Sequence, residues 1–261
     1  MSVKRVLKKM WWFLTSQSGF DPRRTYYSLR GVSKYVGDAW RFRKLYAGRF
    51  VYTPCLYDRY EEAGTTKGEY FWQDLLVARM IYQRQPRKHV DIGSRIDGFV
   101  AHVASFREIE VIDVRAVSTL IPGVHFKQAD MMGELEVDQQ KYCDSLSCLH
   151  ALEHFGLGRY GDPLDPTGHE KGLKNFANLL EPGGILYLST PIGQERVEFN
   201  ANRVFNPLNI IKLAQIHHLS LESLLVVRAD GVVDQLLPDS TEISLLSGEY
   251  YNLGIFTFVK H

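Results

Sequence analysis

The sequence predicts an α/β domain on a doubly wound, mostly parallel sheet, and three observations carry that prediction. A short apolar run, Val90-Asp-Ile92, breaks at Gly93, and after Gly98 an apolar segment of helical character runs from Phe99 to Phe106. This is the strand, glycine turn and helix that open a nucleotide-binding sheet: glycine lets the backbone approach a ligand, and the helix offers it unpaired N–H groups. Beyond this unit, strand-like and helical runs alternate along the chain. Finally, three acids, Asp91, Asp113 and Asp130, fall at or near the ends of strand-like runs, where sheets of this kind bind ligands.

The elements follow in order. Over 69–84 the spacing of Phe71/Trp72, Leu75/Leu76, Arg79/Met80 and Tyr82 is helical, and Pro86 ends the segment. Seven strands are expected, at 89–93, 110–114, 124–128, 144–150, 185–190, 223–227 and 254–259, with helices at 97–106, 170–180 and 208–218. No internal repeat and no low-complexity linker interrupts them.

Composition separates the chain into two regions. Its 261 residues are 45% hydrophobic and 23% charged, ordinary for a soluble globule. The net charge of +1 hides an asymmetry: residues 1–50 hold twelve Lys and Arg against Asp21 and Asp38. Of the 32 aromatic residues, 14 lie within 1–60. Residues 1–64 therefore read as a basic, aromatic, helical extension and 65–261 as the α/β domain. The apolar run Met10-Trp-Trp-Phe-Leu14 is too short to span a membrane, yet with Lys4, Arg5, Lys8 and Lys9 before it residues 1–20 suit an anionic membrane surface. Packing of the tryptophans on the domain is the plainer alternative. Interleaved basic and aromatic residues at 24–27 and 40–46 suit a cap or substrate lid first, with nucleic acid well behind. Three cysteines without a pairing pattern point to a reducing, cytoplasmic setting.

At the glycine turn a dinucleotide fingerprint would place glycine where Arg95 stands. A bulky charged residue there argues against a pyrophosphate and suits a ligand without phosphates, such as S-adenosylmethionine. Asp113 stands where an acid can accept both ribose hydroxyls, and Asp130 where a carboxylate meets an adenine amino group. Each alone is more often a strand-end cap; all three behind one glycine turn favour adenosine.

The order Asp91-Ile-Gly93, Asp113, Asp130, then Glu181-Pro-Gly-Gly-Ile-Leu-Tyr-Leu188, resembles the class I S-adenosylmethionine-dependent methyltransferases. The resemblance implies a Rossmann-like, seven-stranded sheet whose last strand runs antiparallel beside the sixth. It also implies a cofactor site of Asp91, Gly93, Ser94, Arg95, Gly98, Asp113, Val114, Asp130, Met131 and Leu149, with S-adenosylhomocysteine as product. Three further strings, Tyr70-Phe-Trp-Gln-Asp-Leu75, Val90-Asp-Ile-Gly-Ser-Arg-Ile-Asp-Gly-Phe99 and His154-Phe-Gly-Leu-Gly-Arg-Tyr-Gly-Asp162, resemble a domain-of-unknown-function family related to these enzymes. Its bacterial members accompany surface-polysaccharide genes, which implies a sugar acceptor by association.

Methyl transfer asks the protein to align an acceptor and remove its proton. The acceptor site should lie over the end of the fourth strand, beside the loop Phe155 to Gly168 with its four glycines and two prolines. His154 and His169 are candidate bases, and Asp162 could orient one of them or accept a sugar hydroxyl. Strand or helix capping is the alternative for both histidines. Arg159, Tyr160, Asn200 and Arg203 are candidate substrate contacts, although Arg203 could equally pair an acid of the loop. His150-x-x-Glu153-His154 matches a zinc-peptidase string but leaves a strand rather than a helix. Quinone-biosynthesis O-methyltransferases are similar here and carry Glu-x-x-Glu-His, linked to a divalent cation. His150 replaces the first Glu, so a metal on Glu153, His154 or Asp162 is possible and not favoured.

The expected activity is O-methylation of a sugar hydroxyl in a surface glycan or its nucleotide- or lipid-linked precursor, in the cytoplasm or at the inner face of the membrane. The alternatives are an RNA-modifying methyltransferase and a non-catalytic cofactor-binding partner. No Asp/Asn-Pro-Pro-Tyr/Phe string follows the fourth strand, which weighs against methylation of nucleic-acid amino groups.

Overall fold

The computed structural model describes residues 7, 10–64, 66, 68–135 and 139–261. It divides the chain into two compact units, 1–65 and 66–261. The first is organised by helix α1, Pro22–Leu45. Pro22 stands where its missing N–H is not needed, and the Asp21 carboxylate accepts the N–H groups of Arg23 at 2.9 Å and Arg24 at 3.1 Å. Gly31 is the buried residue of the helix, because the backbone of Leu56 passes where a Cβ would stand. Rings and cations fasten the returning chain to it: Tyr27 stacks on Tyr60 at 5.0 Å, and Arg24 lies over Tyr57 at 3.9 Å. Lys4, Arg5, Lys8 and Lys9 lie outside the described residues; Met10 to Leu14 are exposed.

The second unit begins with α2, Glu69–Arg84, whose inner face is Gln73, Asp74, Val77, Ala78 and Ile81. Then come β1 (His89–Ile92), a π-helical turn Ile96–Val100 running into α3 (Ala101–Ala104), β2 (Ile109–Asp113), β3 (Val124–Gln128) and β4 (Cys143–Leu149). A short turn, Leu152–His154, and the glycine loop lead to α4 (Gly168–Leu179) and β5 (Leu180–Ile192). After a ribbon of β6 (Arg196–Glu198) and β7 (Asn202–Val204) follow α5 (Pro207–Ile216), β8 (Leu219–Val227), β9 (Val233–Leu236), α6 (Glu242–Leu246) and β10 (Asn252–Lys260).

The sheet order is β3-β2-β1-β4-β5-β10-β8-β9. Strands β3 to β5 pair in parallel, and β10 is antiparallel to both β5 and β8. All seven expected strands are present, and β9 makes an eighth. Four residues with two polar side chains carry too weak an alternation to be read as a strand, and β9 gains its place by pairing with β8 across the turn at Asp230-Gly231. The β6–β7 ribbon is likewise short and was not expected.

Helices cover both faces. One core packs Leu173 and Phe176 of α4 and Ile210 and Ala214 of α5 against Leu146, Leu188, Phe256 and Phe258. The other packs Val77 and Ile81 of α2 and Phe99 and Val103 against Val111, Tyr187 and Ile255. Each fully buried large side chain contributes about 1.5–3 kcal/mol. Because both faces are covered, the open edge at the carboxyl ends of the strands is where the polar groups converge.

Candidate functional site

Strand order reverses between β1, whose next strand in sequence lies on one side, and β4, which lies on the other. At the end of β1 the chain turns at Gly93, with φ +71° and its N–H bonded to Ile112 O at 2.9 Å. A Cβ at Gly93 would come within 2.9 Å of the Ala151 methyl, so glycine is required by both conformation and space. At Gly98 a Cβ would strike the Asp74 carboxylate, which α2 brings against the turn.

Below the turn runs a buried polar ladder. Asp91 is fully buried; it accepts Ser94 N at 3.0 Å, Ser94 Oγ at 2.6 Å and Ser147 Oγ at 2.5 Å. Ser94 Oγ in turn accepts Leu149 N at 3.1 Å, which ties the turn to the end of β4. Ser147 also lies 3.1 Å from His89 Nε2, and Ser145 Oγ lies 2.8 Å from His89 Nδ1. Since the Ser147 hydroxyl donates to Asp91, it accepts from Nε2–H, and His89 is neutral. Burial pushes its pKa down to about 3. Burial pushes that of Asp91 up to about 6, against the bonds from Ser147 and Ser94.

The acids of the neighbouring strands differ. Asp113, 9% exposed, is held by Arg115 through its N–H at 2.8 Å, Nε at 3.0 Å and Nη2 at 2.6 Å. Asp130 is exposed and caps Met132 N at 2.9 Å. Of the other expected cofactor residues, Val114 is half-buried, Met131 and Leu149 bury their side chains in the two cores, and Arg95 is exposed, forked onto Asp97 and 5.2 Å from the Tyr70 ring.

On the other side of the reversal point β4 is followed by His150, held at φ +52°, an unusual conformation for a residue with a side chain. Its Nδ1 lies 2.7 Å from Glu153 Oε1, and its buried Nε2, without a hydrogen-bond partner, is 3.6 Å from Glu69 Oε1. Burial alone would lower its pKa, but Glu153, Glu69 and Asp74 outweigh it and the pKa is raised. Tyr70 covers the imidazole at 4.7 Å, and Tyr251 donates to Glu69 at 3.0 Å. Burial first, then Glu153 and Glu69, push the Tyr70 hydroxyl up to about 12.

His154 is buried, and its Nδ1–H donates to Ala201 O at 2.7 Å, which leaves the lone pair on Nε2, 3.9 Å from Glu153 Oε1. Burial lowers its pKa, with Glu153 opposing, so the ring is neutral at pH 7. Tyr160 meets His154 edge-on at 5.4 Å and is flanked by Arg115 at 4.5 Å and Arg159 at 5.2 Å. An unbroken chain of contacts thus joins Asp113, Arg115, Tyr160, His154, Glu153, His150 and Tyr70.

Of the remaining candidates, Asp162 and Arg203 serve the loop itself. Asp162 accepts three N–H groups, those of Gly156, Gly158 and Tyr160, at 2.9–3.1 Å. Arg203 is buried and donates to the carbonyls of Phe155 at 2.6 Å, Pro166 at 3.2 Å and Glu153 at 3.4 Å; it holds carbonyls, not an acid of the loop. Arg159 donates to Ala201 O at 2.9 Å. Asn200 sits at φ +63° in the exposed turn of the β6–β7 ribbon. His169 lies beside Phe205 and Arg203 rather than His154, and burial with Arg203 pushes its pKa down to about 4. Among the described residues no group of three or more His, Cys, Asp or Glu is placed to hold a metal ion.

Glu69, Tyr70, Asp74 and Tyr251 join the cluster around His150 without a residue pattern in the sequence that marks them as site residues. One signal for α2 was present: Gln73 and Asp74 interrupt the apolar face that Val77, Ala78 and Ile81 continue at helical spacing.

A family model described as a Caenorhabditis protein of unknown function, DUF268, matches residues 125–218. A search of curated proteins returned no match. Among solved structures, a candidate sarcosine dimethylglycine methyltransferase from Galdieria sulphuraria is similar at 12% identity and TM-score 0.50, over 73% of this chain and 84% of that one. The 1,6-didemethyltoxoflavin-N1-methyltransferase of Burkholderia thailandensis, with S-adenosylhomocysteine bound, aligns at 13% identity and TM-score 0.49 over 93% and 92%. A TehB-like methyltransferase from Corynebacterium glutamicum aligns at 15% and 0.47 over 88% and 99%. At these identities the likeness is one of fold, and the fold is the Rossmann-like one of the methyltransferases.

Proposed function

We propose that residues 66–261 form an S-adenosylmethionine-dependent methyltransferase that O-methylates a sugar hydroxyl of a surface glycan or its nucleotide- or lipid-linked precursor. One observation carries the reading. Where strand order reverses, a left-handed glycine turn and the rim carboxylate of Asp113 lie one chain of contacts from a neutral imidazole of fixed tautomer, His154.

The residues fit the donor. Gly93 keeps the turn open where a side chain would close it, and Asp113 lies at the rim, where three donors leave one of about four lone-pair positions for a ribose hydroxyl. When bound, S-adenosylmethionine supplies a methyl group already activated on a sulfonium. The protein therefore needs to align a hydroxyl and take its proton. His154 offers Nε2 for that proton, because Ala201 O fixes Nδ1–H. Glu153, 3.9 Å from Nε2, stabilises the imidazolium that results. Tyr160 and Arg159 present a flat ring and donors at the rim, which suits a sugar face and its hydroxyls. All three cysteines are free, Cys143 and Cys148 buried, which supports a reducing, cytoplasmic setting.

Calorimetry with S-adenosylhomocysteine and a mass-shift screen of glycans with S-adenosylmethionine test the reading. Binding of the nucleoside and a methylated sugar product are expected. No binding of either nucleoside removes the methyl-donor reading; methylation of RNA with no sugar product replaces the acceptor.

A further inference from the structure

Helix α1 divides into three faces when its residues are set 100° apart. One packs on the returning chain through Tyr27, Gly31 and Phe42, the last stacked on Phe50 at 6.0 Å. A second, within an arc of about 80°, carries Val32, Val36, Leu29 and Trp40, which are 43%, 59%, 70% and 62% exposed. Beside it, between the apolar and packed faces, runs a row of Arg23, Arg30, Lys34, Arg41 and Lys44. The acid of the helix, Asp38, is turned to Lys34 at 3.8 Å and Arg59 at 3.3 Å, and Arg43 folds back onto the carbonyls of Tyr46 and Gly48. The Lys44 ammonium lies 3.3 Å over the Trp40 ring.

We propose that this stripe and its basic flank dock the protein on an anionic lipid bilayer, with α1 lying in the headgroup plane. The surface is distinct from residues 1–20 and does not depend on the methyltransferase reading. An apolar stripe bordered by cations along a 24-residue helix is the pattern of an interfacial helix: apolar side chains enter the acyl boundary while the flank meets lipid phosphates. Trp40 with Lys44 above it is the ring-and-cation pair that sits at headgroup level. Nucleic acid fits less well, because Leu29, Val32 and Val36 are aliphatic and offer no ring for a base to stack on. A second copy packed antiparallel through the same face would set two basic rows against each other. No described helix is long and apolar enough to cross a membrane, so the contact is a peripheral one.

Co-sedimentation of the full chain with vesicles tests the proposal. The protein should pellet with phosphatidylcholine vesicles containing phosphatidylglycerol and stay in solution with phosphatidylcholine alone. Leu29→Ser with Val36→Ser and Trp40→Ser should lower partitioning about tenfold or more, with the circular dichroism melt unchanged. Arg23→Gln with Arg30→Gln and Arg41→Gln removes no apolar side chain and should lower it comparably, which decides the matter if the serine variant does not fold. Vesicle binding unchanged in both variants overturns the proposal. So does binding of single-stranded RNA without vesicle binding, or a dimer that the serine variant dissolves while no vesicle is bound.

Discussion

Asp91 and Asp113 stand near the ends of neighbouring parallel strands, yet they do opposite things. Asp91 lies within the paired region, opposite Val111 of β2 and Ser147 of β4, so the sheet surrounds it and protein donors must satisfy it. Asp113 lies beyond the last paired residue of β1, opposite the Gly93 turn, and reaches the rim. Two residues of register separate a carboxylate that braces the floor from one that, on the proposed reading, meets the ligand. Changes at the rim should therefore alter ligand affinity and turnover, and changes in the floor should alter stability and its dependence on pH.

The largest effect should come from the imidazole at the rim. His154→Gln should lower kcat about 10²–10⁴-fold, the usual share of a general base, with S-adenosylhomocysteine affinity and Tm nearly unchanged. In the parent, turnover should fall as pH drops through the His154 pKa, which burial places below its ordinary 6.5, and level off above it. A variant that keeps full turnover, or that loses nucleoside affinity, takes His154 out of the proton-accepting role. Next, Asp113→Ala should weaken nucleoside binding roughly tenfold or more, about 1.5 kcal/mol, because a ribose hydroxyl on the one free position of the carboxylate makes a charge-assisted bond. Unchanged affinity by calorimetry would put Asp113 with Asp91 as a brace and erase the contrast.

The floor gives a sharper test through pH. The His89 pKa is pushed down from 6.5 to about 3, so its contribution is present above pH 6.5 and lost on acidification. The Asp91 pKa is pushed up from 3.8 to about 6, so its contribution is largest at low pH and is lost as pH rises from about 4 to 6. Across that window the folded state carries one proton on Asp91 where the unfolded state carries one on His89, and the two slopes oppose each other. Asp91→Asn removes one of them. Its stability relative to the parent should fall by about 1.4 kcal/mol per pH unit on acidification from 6 to 4, read by urea unfolding. A difference that stays constant with pH refutes the opposed pair.

The strands were legible because parallel strands covered on both faces are continuous apolar runs. The same burial hid the direction of Asp91, since a strand without alternation does not say which side chain faces a ligand. The left-handed turn at Gly93 and the polar groups after β4 were visible as residue types at a strand end. Asp162 and Arg203 were visible too, but as contacts for an acceptor. The structure gives Asp162 three N–H groups and Arg203 three carbonyls, because an irregular loop must satisfy backbone groups that no sequence pattern displays. Glu69 and Tyr251, 182 positions apart in sequence, meet through the pairing of β10 with β5, a long-range consequence of the sheet order.

The smallest expected effect has the most telling sign. Arg115 holds both oxygens of Asp113, so on the proposed reading the guanidinium would compete with the donor for one carboxylate. Arg115 is 48% exposed, and ion pairs of that kind contribute about 0–1 kcal/mol. Releasing the carboxylate by Arg115→Ala should therefore tighten nucleoside binding, by no more than about fivefold. If Arg115 instead positions Asp113 for the ligand, the same change weakens binding, and Arg115→Lys, which keeps the charge but loses the fork, weakens it too. Calorimetry on the two variants separates a competitor from a support, and with it decides whether Asp113 is a ready binding group or one that the ligand must first set free.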